Sequence, residues 1–294
     1  MIMSPGWLAI WGRSGIMLCS RAGWILFGVT VTIRLTGLNI YPIKSARGIP
    51  LNQSVVDDFG LLYDRRWMVV DESGLFLSQR SHPRLALVVP TIGQGALEVN
   101  APGMPPLKVP LQPSDAVATQ VRVWDDVCPA TWTGEHAAEW FSRFLGSRCS
   151  LVHMADQVVR PADPAYAPAT TRVSFADAFP FLIISEESLA DLNARLPNPL
   201  PMNRFRPNLV VAGGEPYSED SWNHVEIGGL RLRLVKPCDR CMVTTTDQAT
   251  GTRGTEPLRT LAAYRKVNGQ VMFGQNAVHE SSGQLRIGDP VVIR

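Results

Sequence analysis

The sequence predicts a β-rich α+β fold of two β-barrel-like domains, with a few peripheral helices and a ligand site between the domains. Short segments rich in β-branched and aromatic residues recur between glycine and proline turn signals, and few segments have helical periodicity. A chain of 294 residues is long enough for two domains. No internal repeat and no glycine-rich phosphate loop interrupts this pattern.

In the first half, alternating or continuous apolar segments predict strands over 34–41, 66–71, 76–78, 85–90, 96–100 and 117–124, with strand 150–154 after the helix. Segment 101–113 contains five prolines and is predicted to be a loop or an edge strand. A helix is predicted over 134–145, with Thr133 as its cap and Gly146 as its stop signal. These elements form a predicted N-terminal barrel domain over residues 34–155.

Residues 156–175 are mostly small or polar and include three prolines, which predicts a linker. A second domain is predicted over 176–294. Its expected helices cover 186–196, capped by Ser185, and 255–266, opened by a proline. Its expected strands cover 181–184, 209–212, 224–227, 230–235, 242–246, 272–278 and 291–293.

Composition narrows the functional class. The formal net charge of +2 gives no support for nucleic-acid binding. Five cysteines at irregular spacing argue against a disulfide framework and favour a reducing, cytoplasmic location.

Residues 1–33 are interpreted as an extension before the folded region. They contain basic residues and apolar segments, but no uninterrupted apolar run of the roughly 18–20 residues that a membrane span needs. Disorder, an incorrectly assigned start, a targeting segment and membrane association through residues 7–29 are the open alternatives.

The most informative segment is 236–247, where Cys238 and Cys241 lie three residues apart with Arg240 between them. A thioredoxin-like redox pair needs a helix N-terminus, whereas the flanking segments here are predicted to be strands. A structural zinc site needs four ligands, and no two of the five histidines have ligand spacing. An inert pair, a nucleophilic thiolate and a single metal thiolate remain open.

Three further motifs place polar side chains in turns. Lys44 and Ser45 follow strand 34–41, and an ammonium, a hydroxyl and backbone N–H groups together can bind phosphate. Arg206 precedes a proline, which favours an extended backbone and restricts the direction of its side chain. Asn276 offers an amide that can hydrogen-bond a heterocycle edge. Each motif alone is as typical of an ordinary surface turn as of a site.

Together these motifs resemble the MOSC family, named for the C-terminal domain of molybdenum cofactor sulfurase, and within it the amidoxime-reducing members and their bacterial relatives. The N-terminal half resembles the β-barrel domain that precedes the MOSC domain. The resemblance spans residues 34–294 and rests on segments 41–45, 64–67, 181–196, 203–208, 236–247, 273–275 and 288–291.

The resemblance implies a molybdenum cofactor (Mo-molybdopterin), a phosphorylated pyranopterin dithiolene that holds one molybdenum. It implies that Cys241 ligates the metal and that Asp239 and Arg240 contact the cofactor, with Asp239 also a candidate catalytic acid. The other implied cofactor-binding residues are Lys44, Ser45, Arg65, Arg206 and Asn276.

The implied reaction is the reduction of a small N-hydroxylated substrate by oxygen-atom abstraction at molybdenum. Electrons are expected from a separate ferredoxin, flavoprotein or cytochrome partner. The alternative is a molybdenum cofactor carrier or sulfur-transfer protein that uses a Cys241 persulfide. Generic descriptions of the family also include pyridoxal phosphate binding, but no lysine here lies in a recognisable Schiff-base context.

Overall fold

The computed structural model describes residues 32–112 and 117–294, together with the backbone of three earlier strands. The chain divides into two compact units, Met1–Thr32 and Ile33–Arg294. In the first unit, β1 (Leu8–Gly12), β2 (Gly15–Ser20) and β3 (Gly23–Phe27) form an antiparallel sheet. Within the predicted extension over 1–33, residues 1–7, 13–14, 21–22 and 28–31 lie outside the described residues. No helix in the described part of the chain is long and apolar enough to cross a membrane.

The second unit is β-rich, as predicted. Its strands in the first half are β4 (Arg34–Ile40), β5 (Ile49–Pro50), β6 (Gln53–Asp57), β7 (Gly60–Leu61), β8 (Trp67–Asp71), β9 (Val89–Ile92), β10 (Ala96–Asn100), β11 (Leu107–Pro110), β12 (Val117–Val123), β13 (Asp126–Trp132) and β14 (Cys149–His153). Those in the second half are β15 (Phe181–Ser185), β16 (Leu209–Ala212), β17 (His224–Ile227), β18 (Leu230–Asp239), β19 (Lys266–Val267), β20 (Gln270–His279), β21 (Gly283–Arg286) and β22 (Val291–Ile293). The helices are α1 (Glu135–Leu145), α2 (Glu186–Ala194) and α3 (Leu258–Ala262).

The largest sheet joins the two halves of the chain. Its order is β22-β17-β18-β20-β15-β16-β4-β5, with β19 beside β20. Strand β4 pairs antiparallel with β16, placing Leu38 opposite Leu209, and β6 pairs with β21. Apolar residues from both halves, including Leu35, Val56, Phe181 and Leu232, fill one core beneath these strands. Because the halves share a sheet and a core, residues distant in sequence are held rigidly against each other.

A second sheet, with the order β12-β13-β14-β8, packs with α1 around another core. The predicted apolar face of α1 is buried through Trp140, Phe141 and Phe144. Gly146 ends the helix in the left-handed conformation, with φ 73°. The predicted cap is wrong, because Gly134 occupies the N-cap position and the Thr133 hydroxyl donates to the Leu151 carbonyl at 2.9 Å.

Several predicted elements differ from the structure. Residues 76–78 form only an isolated bridge, and 85–90 divides between a 3-10 turn at Pro83–Leu87 and β9. Helix α3 is shorter than 255–266, and strand β13 was not predicted. The predicted strand 242–246 is a 3-10 turn at Met242–Thr245. The hydroxyls of Thr244 and Thr245 donate to carbonyls three residues earlier, which favours the turn over a strand.

The segment predicted as a linker, 156–175, is well packed. Val173 and Phe175 are fully buried, and Arg160 is 3% exposed. The Arg160 guanidinium donates to the carbonyls of Ser174 and Ala176, both at 2.7 Å. These contacts fix the chain that leads into β15, next to the cavity described below.

Candidate functional site

A cavity of about 670 Å³ lies at the junction of the two halves of the chain. All eight of the predicted site residues line it, namely Lys44, Ser45, Arg65, Arg206, Asp239, Arg240, Cys241 and Asn276. They come from five separate segments of the sequence. The fold therefore brings the predicted residues together in one place, while the role of each stays a prediction.

Uncommon backbone conformations cluster around this cavity. Seven non-glycine residues in the described part of the chain have positive φ. Four of them, Ser45 (68°), Arg65 (49°), Trp124 (56°) and Arg206 (57°), line the cavity. The extended backbone expected at Arg206 is therefore wrong. Strain of this kind persists only where the surrounding structure imposes it, and it is concentrated at functional sites.

Arg65 and Arg206 form one wall of the cavity, and buried Tyr41 and Asp64 support them. These four residues are here called the arginine wall. The guanidinium carbons of Arg65 and Arg206 lie 4.4 Å and 4.2 Å from the centre of the Tyr41 ring. Arg65 is ion-paired with buried Asp64 and donates to the Asn208 amide oxygen at 2.8 Å. Arg206 donates to the Ala46 carbonyl at 2.6 Å. Packing and hydrogen bonds thus orient both cations.

The electrostatics of the arginine wall reflect its burial. Burial raises the pKa of Tyr41 to about 12, so the phenol is neutral and donates to the Pro207 carbonyl at 3.0 Å. Burial also lowers the pKa of Arg206 to about 10, with the charge of Arg65 acting in the same direction. The fold thus holds the positive charges of Arg65 and Arg206 close together. An anion bound in the cavity would offset the repulsion between them.

Lys44 is buried at the edge of the same cavity. Its ammonium donates to the Phe175 carbonyl at 2.7 Å and pairs with Asp177 at 2.5 Å. Burial lowers the pKa of Lys44 to about 8, although Asp177 acts in the opposite direction. Burial alone would raise the pKa of Asp177, but the Lys44 ammonium keeps it low. The Asp177 side chain is 61% exposed and faces the cavity, so an incoming anion meets a lysine that already has a partner.

A second part of the cavity lining, here called the cysteine turn, is the segment from Cys238 to Cys241. Strand β18 continues through Asp239, and Cys241 then caps the 3-10 turn. Arg240 folds back over this segment, donating to the Cys238 sulfur at 2.9 Å and to the Phe205 carbonyl. Burial raises the pKa of Cys238, and Arg240 acts against that shift. The two thiols therefore have different environments.

Cys241 is contacted by a residue that sequence reasoning missed. A guanidinium nitrogen of Arg80 lies 3.1 Å from the Cys241 sulfur. The guanidinium carbon of Arg80 also lies 4.4 Å from the centre of the Trp124 ring, and the indole N–H donates to Asp177 at 3.2 Å. No strand or helix signal in the sequence marked Arg80, because it follows an irregular turn rather than a regular element.

The remaining predicted residues have open environments. Asp239 is exposed on the cavity wall, and Ser45 and Asn276 are partly buried. The Ser45 carbonyl accepts from the buried amide of Gln79 at 2.7 Å, which fixes the backbone that carries the Ser45 side chain. The neighbouring Gln275 does not line the cavity, and its amide donates to Asp220 at 2.7 Å.

Cationic side chains outnumber carboxylates around the cavity. Seven line it (Lys44, Arg65, Arg80, Arg160, Arg204, Arg206 and Arg240) against five carboxylates (Asp125, Asp126, Asp163, Asp177 and Asp239). Among the described residues, Arg80, Arg206 and Arg240 have no carboxylate within ion-pair distance, and the buried Nε atoms of Arg204 and Arg240 lack acceptors. This surplus of positive charge suits a polyanionic ligand.

The donor set also limits how a metal could be held. Within the described ranges, no three His, Cys, Asp or Glu side chains are grouped so as to bind a metal ion. A metal at Cys241 would thus have at most two such protein ligands, and the rest of its coordination sphere would have to come from an organic group. The residues present therefore fit an anionic, metal-carrying cofactor better than a bare ion.

Comparisons with known proteins show the family to which the chain belongs. Residues 32–148 match the family model of the MOSC N-terminal beta barrel domain, and residues 170–292 match that of the MOSC domain. Mitochondrial amidoxime-reducing component 1 of Mus musculus is 38% identical, over 86% of this chain and 80% of that protein. The Homo sapiens protein of the same name is 35% identical, over 98% of this chain and 94% of that protein. Molybdenum cofactor sulfurase of Danio rerio is 34% identical, over 88% of this chain and 34% of that protein.

Proposed function

This chain belongs to the MOSC domain family, and from that membership we propose that it is a molybdenum-cofactor oxidoreductase that reduces N-hydroxylated compounds. The observation that carries the proposal is the cavity itself. It joins the Cys241 thiol, which belongs to no group of three metal-ligating side chains in the described residues, to three guanidinium groups without carboxylate partners. Relatives named amidoxime-reducing components support the choice of N-hydroxylated substrates.

Each wall of the cavity has a separate task in this proposal. Arg65 and Arg206 bind and orient the anionic end of the cofactor, because their positions are already fixed on Tyr41. Lys44 and Ser45 contact the phosphate from the neighbouring turn. Arg240 holds the cysteine turn in shape, and Cys241 provides the thiolate ligand.

The bound cofactor supplies the two-electron chemistry that converts an N-hydroxyl group, two electrons and two protons into the N–H product and water. The side chains supply binding, orientation and protons. Asp239 is the proposed proton donor, because its exposed carboxyl lies two residues from Cys241 on the same wall. Electrons come from a separate ferredoxin, flavoprotein or cytochrome in this proposal, and the protein acts in the cytoplasm.

The test compares two single substitutions in the same turn. Wild-type, Cys241→Ala and Cys238→Ala proteins are produced under cofactor-replete conditions, and molybdenum and pterin are measured per polypeptide. We expect the wild type and Cys238→Ala to hold both components, and Cys241→Ala to lose molybdenum. With a chemically reduced viologen dye as electron donor and an amidoxime as substrate, Cys241→Ala should turn over more than about 100-fold more slowly.

Two results would contradict the proposal. A wild-type protein without molybdenum and pterin would exclude the cofactor, and full activity in Cys241→Ala would exclude that residue as the ligand. Because one relative is named a molybdenum cofactor sulfurase, a persulfide on Cys241 is the competing function. Mass spectrometry that finds an extra sulfur atom on Cys241, without stable molybdenum, would favour the sulfur carrier.

A further inference from the structure

We infer that Arg80 is a positioning residue for Cys241, held by Trp124 so that its guanidinium orients the Cys241 sulfur. This inference rests on the proposed function, since it concerns how the metal ligand is oriented. It starts from the 3.1 Å contact between the guanidinium of Arg80 and the sulfur of Cys241. Arg80 comes from the first half of the chain and Cys241 from the second.

The backbone around Arg80 is fixed by the segment that follows Cys241. Gln79 is fully buried, and its amide exchanges two hydrogen bonds of 3.0 Å with the amide of Gln248. The Arg253 guanidinium donates to the carbonyls of Gln79 and Arg80. The turn that carries Arg80 therefore moves as one body with the chain that carries Cys241.

The side chain of Arg80 is fixed separately. It lies over the Trp124 indole, at 4.4 Å from the ring centre, and the indole N–H is tied to Asp177. Among the described residues, the Cys241 sulfur is the one side-chain acceptor that the Arg80 guanidinium contacts, and no carboxylate pairs with it. The charge of Arg80 also acts on Asp177, where it lowers the pKa of the carboxyl, but its side-chain hydrogen bond goes to the sulfur.

Such a contact has a direct chemical consequence. An N–H···S hydrogen bond orients the sulfur lone pairs and withdraws electron density from the thiolate. A metal bound to that sulfur is then easier to reduce, because hydrogen bonds to ligand sulfur raise reduction potentials. Arg80 thus fixes the direction of the Cys241 sulfur and tunes its donation to a bound metal.

The test uses the cofactor-loaded protein and four variants. Arg80→Gln removes the charge, Arg80→Lys restores it without the planar group, and Trp124→Leu removes the stack but leaves Arg80. Arg84→Gln is the matched control, because Arg84 also lies over an aromatic ring, that of Phe144 at 4.6 Å, yet does not line the cavity. Thermal unfolding verifies that each variant is folded.

The measurements are the rate of molybdenum release into a chelating resin and the midpoint potential of the bound molybdenum. We expect Arg80→Gln to release molybdenum about 10–100-fold faster, as is typical when a residue supporting a metal ligand is lost. Its midpoint potential should become more negative. Trp124→Leu should shift both quantities in the same direction by less, Arg80→Lys should recover part of the loss, and Arg84→Gln should match the wild type.

The possible failures are distinct. A wild type that holds no molybdenum overturns the proposed function and this inference with it. A wild type that holds molybdenum, with Arg80→Gln unchanged in release rate and potential, overturns the role of Arg80 alone. Equal effects of Arg80→Gln and Arg84→Gln would show a general loss of positive charge and would also overturn it.

Discussion

The arginine wall and the cysteine turn contribute to the lining of one cavity but are built in different ways. In the wall, Asp64 is 1% exposed and accepts from the Tyr41 backbone N–H at 2.8 Å, while Arg65 and Arg206 are held by ring stacking and protein acceptors. In the turn, Asp239 is exposed and Cys241 is contacted by Arg80 from another segment. The proposed binding groups are therefore fixed by the protein alone, whereas the proposed proton donor Asp239 is exposed.

The largest expected loss of stability comes from removing the Tyr41 ring, on which both guanidinium groups of the arginine wall stack. Tyr41→Ala should lower the free energy of unfolding by about 3–5 kcal/mol, because it removes a buried aromatic ring and the surface on which two guanidinium groups stack. Tyr41→Phe is the control and should cost about 1 kcal/mol, the value of the hydrogen bond to Pro207. Urea unfolding measures both. A Tyr41→Ala protein as stable as Tyr41→Phe would show that the ring does not organise the wall.

An aspartate-to-asparagine substitution in each region compares how much a carboxylate contributes to stability in the arginine wall and in the cysteine turn. Asp64→Asn should cost about 3 kcal/mol, because it leaves the Arg65 charge without its buried partner. Asp239→Asn should change stability by less than about 0.5 kcal/mol, because that carboxyl is exposed. Denaturant titration gives both values. Equal costs would mean that the turn is as tightly packed as the wall.

The lowered pKa of Lys44 predicts that the stability of the protein changes with pH in a definite direction. Its pKa in the folded protein is about 8, below the 10.5 of a free lysine, so between these values the unfolded chain binds more protons. The stability of the wild type relative to Lys44→Met should therefore rise across this pH window, by up to about 3 kcal/mol in total. Unfolding curves for both proteins from pH 7 to 10.5 test it. A flat difference would mean that Asp177 fully compensates the burial of Lys44.

The smallest expected loss of stability tests whether the planar shape of the Arg206 guanidinium matters in addition to its charge. Arg206→Lys keeps the charge but removes the planar group that stacks on Tyr41 and donates to Ala46, and should cost about 1–2 kcal/mol. Arg231→Lys, at an exposed position of β18, is the control and should have no measurable effect. If both variants are equally stable, the positive charge at position 206 is sufficient, and the planar guanidinium contributes nothing to stability.

The sequence predicted the parts of the fold that depend on local patterns. Strand β4, strand β15 and helices α1 and α2 follow from periodicity and capping, and the Ser185 hydroxyl accepts from the backbone N–H of Ser188 as a cap should. Local prediction failed at the 3-10 turn after Cys241, where threonine hydroxyls satisfy nearby carbonyls. It also failed at Arg206, whose left-handed backbone is imposed by contacts with Tyr41 and Ala46.

The sequence by itself determined the family, the β-rich class and the eight residues expected around a cofactor, because these depend on residue type and on motifs that are local in the chain. Only the tertiary structure decided that Asp177 pairs with Lys44 and that Arg80 contacts Cys241. Those pairs join residues separated by 133 and 161 positions. Their distances depend on how β4 and β8 meet the second half of the chain, which no local pattern encodes.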